Sequence, residues 1–185
     1  MRSTGASRFQ WIALAAATLV AAGATVSTST AAPLAAPKAC ALLSRSIASS
    51  LIKEQPKTIL STPLICQYGR SSERASTAKT TLSFTITPNP SVAAAQAAMR
   101  RVARIAPTKA PAGTTGFARA SLAFHGGEGI YVYFRQAHGP LTGGYVFLRI
   151  GAYLAQLTPA VYSSRPSFTA AELKKAALAM AARWS

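Results

Sequence analysis

The stretch "IYVYFRQAHGPLTGGYVFLRI", Ile130–Ile150, sets two apolar runs with alternating side chains around a segment of small, polar and turn-forming residues. Period-two alternation is the mark of a strand, and two such runs around a turn predict an antiparallel hairpin. What the hairpin builds depends on its phase. With Ile130, Val132 and Phe134 turned toward a core, Tyr131, Tyr133 and Arg135 point the other way. In the second arm, inward Val146, Leu148 and Ile150 send Tyr145, Phe147 and Arg149 outward. On this phase the outer face carries rings and guanidinium groups, which stack on the apolar faces of sugars or on unpaired bases. Tyr131, Tyr133, Arg135, Tyr145, Phe147 and Arg149 are therefore the first candidate ligand surface.

Outward from the hairpin, the same patterns recur. Leu82, Phe84 and Ile86 alternate with Thr81, Ser83, Thr85 and Thr87, which reads as a half-buried strand over 80–87. Short strands are expected at 58–60 and 64–68, another at 117–124 before the turn "HGGEG", and a further one at 153–158 beyond Gly151. Three helices complete the order. The first, Lys38 to Leu51, repeats Cys40, Leu43, Ile47 and Leu51. The second is capped by Ser91 and carries the stripe Val92, Ala95, Met99, Val102 and Ala106, with Arg100, Arg101 and Arg104 on its back. The last opens on Thr169 and Glu172, a capping box, with Phe168 placed to staple onto Leu173. One apolar stripe per helix and one apolar face per strand predict an α+β domain, a two-layer sandwich with about three helices on one face of an antiparallel sheet.

Arg2 and Arg8 precede the uncharged run "WIALAAATLVAAGATV", which is followed by the small residues of "STSTAAPLAAP". This is the layout of a secretory signal. Ser29 and Ala31 suit the cleavage positions, so residues 1–31 are expected to be a leader, 32–37 a short linker and 38–185 a single domain; the alternative for the leader is an uncleaved membrane anchor. The chain contains two cysteines. Both Cys40 and Cys66 fall in the exported part, where thiols are oxidised, and a disulfide between them is expected. The product belongs in the periplasm, on the cell surface or outside the cell.

Twenty Lys and Arg face four acidic residues, all glutamate, for a net charge of +16, or +14 without Arg2 and Arg8. Such a field draws in anionic partners. For an exported chain these are envelope polymers and lipid headgroups first and nucleic acid second, with membrane contact at the surface or through an uncleaved anchor. Arg100, Arg101 and Arg104 form the densest basic patch.

Catalytic chemistry finds little to use. A nucleophile needs a base oriented by a third group, yet there is no aspartate, and the glutamates offer neither His125 nor His138 an evident partner. Two thiols do not fill a zinc site. "HGGEG" leads into a strand, whereas phosphate loops open helices, so it reads as a hairpin turn. No enzyme activity, cofactor or metal is expected. The expected role is a non-enzymatic domain binding an anionic or amphipathic envelope ligand, or else a structural or protein-interaction module at the cell surface.

At Cys40–Ser44, "CALLS", and Cys66–Tyr68, "CQY", the chain resembles a group of small exported bacterial proteins, many of them actinobacterial lipoproteins, that pair C-x-L-L-[ST] with C-x-[YW]. The resemblance implies one α+β domain outside the cytoplasm with the two cysteines bridged, and it implies no activity. The lipobox of that group is absent, because Lys38 stands close before Cys40, and "AGTTGFA", Ala112–Ala118, lacks its acidic residue.

Overall fold

The computed structural model describes residues 38–73, 79–162 and 167–184; the expected leader and linker lie outside them. Seven strands, β1 (Pro56–Ser61), β2 (Ile65–Arg70), β3 (Thr81–Pro88), β4 (Thr114–Phe124), β5 (Gly127–Gln136), β6 (Leu141–Ile150) and β7 (Tyr153–Tyr162), form one antiparallel sheet. Its order is β1-β2-β3-β7-β6-β5-β4. Two meanders, β1–β3 and β4–β7, are thus joined where β3 lies beside β7. Among the described residues four helices accompany the sheet: α1 (Ala39–Leu42), α2 (Arg45–Ile52), α3 (Val92–Ile105) and α4 (Ala170–Ala182).

The first expected helix is broken in two. Leu43 leaves the helical region and Ser44 turns extended, so that its hydroxyl accepts from the Ile47 amide and caps α2. A serine competes well for this role because its oxygen satisfies an amide that helix continuation would leave to the backbone. The break lets Leu42, Leu43, Ile47, Leu51 and Ile52 all reach the core. The capping box of α4 forms as expected, with Thr169 accepting from the Glu172 amide and Glu172 accepting from the Thr169 amide. Phe168 and Leu173 are both fully buried.

The layering differs from the expectation. Helices α1, α2 and α4 pack on one face of the sheet, over Phe84, Ile86, Val146, Leu148, Leu157 and Val161. Among the described helices α3 is the one that packs on the other, where Met99 and Ala106 meet Ile130 and Val132, flanked by Phe117, Tyr145, Phe147 and Leu154. The antiparallel α+β class holds; the single helical layer does not. Helix α3 covers β7, β6 and β5, while the same face over β2 and β3 carries Gln67, Ser83, Thr85 and Thr87.

The phase of β5 is inverted. Tyr131 is only 8% exposed and lies in the main core, register partner to the inward Val146, while Ile130 pairs with Phe147 and Val132 with Tyr145 on the α3 face. The phase expected for β6 is the one observed. Periodicity could not decide β5, because Ile130, Tyr131 and Val132 are buried alike and so residues of both alternating sets sit in interiors. At the far end of the strand Tyr133 and Phe134 lie opposite Gly144 and Gly143, and the missing side chain of Gly143 makes room for the Phe134 ring. A Cβ on Gly144 would stand 2.5 Å from the Val132 carbonyl oxygen and 2.9 Å from a Leu173 methyl, so this glycine also sets how closely α4 approaches the sheet.

Cys40 and Cys66 are bridged, tying α1 to β2 with a Cα–Cα distance of 5.0 Å. Two outcomes follow from this packing. Tyr131→Ser should cost about 3 kcal/mol by emptying ring volume from the core, seen as a fall in Tm of roughly 10 °C. Replacing both cysteines by serine should cost on the order of 3 kcal/mol in denaturant titration, and the intact chain should release two thiols to titration only after reduction.

Candidate functional site

The structure does not bring the six hairpin residues together. Tyr131, Tyr133 and Arg135 share the face packed by α4, where Tyr133 meets Phe168 edge-on at 5.9 Å between centroids. Burial pushes the Tyr133 hydroxyl above its ordinary value, because the phenolate would lose solvent, against a smaller opposing effect of the Arg135 charge. Tyr145 and Phe147 lie on the opposite face beneath α3, with Tyr145 also tilted against Phe134. Arg149 is on that face too, 13% exposed, donating to Glu128 at 2.7 Å and to the Gly151 carbonyl. The proposed plane of outward rings is thus divided between two interiors. Its rings serve as core, and its arginine at the strand end is held by a cross-strand ion pair.

The second candidate, the back of α3, is where the pattern placed it. Ser91 accepts from the Ala94 amide and starts the helix, and Ala95 and Met99 point at the sheet. At 100° per residue this leaves Arg100, Arg101 and Arg104 on the solvent side, and all three are exposed. A shallow depression of about 330 Å³ is lined by Arg100, Ala103 and Arg104.

No carboxylate among the described residues offsets these cations, because all four glutamates are engaged elsewhere. Glu54 and Glu73 flank Arg70 at 3.6 and 3.8 Å, Glu128 holds Arg149, and Glu172 holds Lys53 at the start of α4. Glu73 also accepts from the Lys79 and Thr80 amides and the Thr80 hydroxyl, closing the base of the loop that follows β2. The Glu172 carboxyl is held below its ordinary range by the hydrogen bond from Lys53, then by those from Thr169, against a desolvation that works the other way. Glu54 is lowered first by the hydrogen bond from Ser72.

Two residues escaped the sequence reading. Arg119, on β4, donates to the Ala103 carbonyl at 3.1 Å, one of the acceptors left open in the last turn of α3. It fixes the end of the helix and counters the negative pole there. Ile105 is 57% exposed at that same end. Its place four residues after Arg101, off the stripe Ala95, Met99, Val102 and Ala106, was the available signal.

His125 and His138 stand on the turns at opposite ends of β5, too far along one strand to share a ligand. "HGGEG" is a hairpin turn, with Gly126 at a φ of +74° and Glu128 committed to Arg149. Among the described residues no three His, Cys, Asp or Glu side chains cluster as metal ligands. Among the same residues no helix is long and apolar enough to cross a membrane.

No protein-family model matches the chain, and no curated protein matches it.

Both lowered carboxyls have one consequence for stability against pH. Their contribution is complete above the ordinary value of 4.5 and is lost as acid drives the folded groups to protonate below it. Urea midpoints measured from pH 6 downward should therefore fall below about pH 4.5, and Glu172→Gln should start lower and flatten the fall.

Proposed function

We propose that this is an exported, non-enzymatic domain that holds an anionic partner of the cell envelope, a polymer or a lipid surface, with the arginines of α3. The observation that carries the reading is the commitment of every glutamate to an internal ion pair, which leaves Arg100, Arg101 and Arg104 without a counter-charge among the described residues. Three exposed guanidinium groups on two turns of one helix offer forked donors to phosphate or carboxylate oxygens, where no carboxylate among the described residues competes.

Export is supported by the leader pattern, by the likeness of "CALLS" and "CQY" to exported bacterial domains, and by the Cys40–Cys66 bridge, which persists in oxidising compartments. A non-enzymatic role is supported by the same glutamates, since groups locked to Arg70, Arg149 and Lys53 are poorly placed for proton transfer. The aromatic hairpin plays no part in this reading, because its rings are core.

The test is a salt series with polyphosphate as the probe. Binding should weaken about tenfold or more between about 50 and 200 mM NaCl, and the slope of log affinity against log salt should shrink in an Arg100→Gln, Arg101→Gln, Arg104→Gln variant. Association that ignores salt, or a variant that binds like the parent, would remove the basis for the proposal.

A further inference from the structure

We infer that the anionic partner of α3 is a lipid bilayer surface, with Arg101 and Arg104 at headgroup phosphates and Ile105 entering the boundary between headgroups and acyl chains. This rests on the anion-binding reading and narrows it to one occupant.

Shape, charge and apolar exposure coincide at this helix. Among the described residues helix α3 is the one helix on its face of the sheet, so its outer side forms a ridge of exposed side chains. The ridge carries Arg100, Arg101 and Arg104, all without a carboxylate partner among the described residues. Of the large apolar side chains exposed in the described residues, Ile105 is the most exposed. It follows Arg104 directly and lies one helical turn beyond Arg101, so cation and hydrocarbon present themselves on one side. A hydrated polyanion has use for the arginines and none for the isoleucine. An anionic bilayer uses both, because guanidinium groups bind at the headgroup level while an aliphatic side chain is drawn beneath it.

The helix end is also built to carry this load. The negative pole of α3 lies at Ile105 and would repel phosphate, but Arg119 donates into that pole at Ala103 and offsets it. Helix α4, on the opposite face, supplies an internal control. It too exposes Lys174 and Lys175 near an apolar residue, but Leu178 is only 36% exposed and the first turn bears Glu172. A bilayer seated on α3 leaves these lysines on the far side of the sheet.

The experiment is cosedimentation of the full chain with phosphatidylcholine vesicles, with and without phosphatidylglycerol as a minor component, alongside polyphosphate binding. The N-terminal segment is common to all variants, so differences between them report on the substituted residues. Arg101→Gln with Arg104→Gln should weaken binding to the anionic vesicles roughly 25-fold, at about fivefold per cation, and should weaken polyphosphate binding as well. Ile105→Ser should weaken vesicle binding about fivefold while leaving polyphosphate binding unchanged. Ile105→Trp should strengthen vesicle binding and give a blue-shifted tryptophan emission on the anionic vesicles. Lys174→Gln with Lys175→Gln should change vesicle binding by roughly twofold or less, as charges beyond a Debye length are screened.

Vesicle binding that is indifferent to both Ile105 substitutions would overturn the lipid assignment, and salt-dependent polyphosphate binding in the same preparation would show the anion reading intact. Equal losses from the α3 and α4 charge variants would overturn the placement on α3. Binding to neither probe would remove both readings together.

Discussion

Adjacent residues of β5 must leave water together, and this single constraint organises the molecule. A strand sends neighbours to opposite faces, yet Ile130, Tyr131 and Val132 are all buried. The sheet must therefore be covered on both sides where β5 runs. Helix α4 does this over Tyr131 and α3 over Ile130 and Val132, each bringing small or flexible side chains, Ala177 and Met180 on one side and Met99 and Ala106 on the other. Away from β5 the demand lapses. Beta-strand β3 alternates cleanly, its Leu82, Phe84 and Ile86 go to one core, and its threonines remain at the opposite surface.

The same placement separates charge from structure. The glutamates sit where they fasten something: the Arg70 cluster at the end of β2, the Arg149 pair across the β5–β6 ladder, the α4 cap with Lys53. The outer side of α3 fastens nothing by charge, and its attachment to the sheet is hydrophobic, with Arg119 securing one carbonyl. Cations on that helix are consequently disposable for folding, and substitutions there report on binding more than on stability.

Much of the fold could be read from the residues where one physical signal stood unopposed. Thr169 with Glu172 and Ser91 before Val92 named their helix starts, and Leu82, Phe84 and Ile86 named a strand and its inner face. Failure came where two signals balanced. In β5 residues of both phases are buried, so the side of Tyr131 was set by register against Val146, which pairing alone reveals. At Ser44 a helical repeat ran on while a cap residue interrupted it, and the cap prevailed. Val92 fits the stripe by spacing yet is exposed at the first turn of α3. Of the candidate surfaces, Arg100, Arg101 and Arg104 were legible because a helix has one buried stripe, whereas the aromatic plane depended on a phase that the sequence left undetermined.

The seam between the two meanders has its own kinetic meaning. Each meander pairs neighbours in the chain, but the β3–β7 ladder, running from Thr81 against Ala160 to Pro88 against Tyr153, joins strands whose chain separation encloses α3, β4, β5 and β6. Such a distant pairing forms late, because closing the intervening length costs entropy before any contact repays it. Until it closes, β3 and β7 are both raw edges, and the first meander must wait with its edge unprotected until the last strand pairs with it.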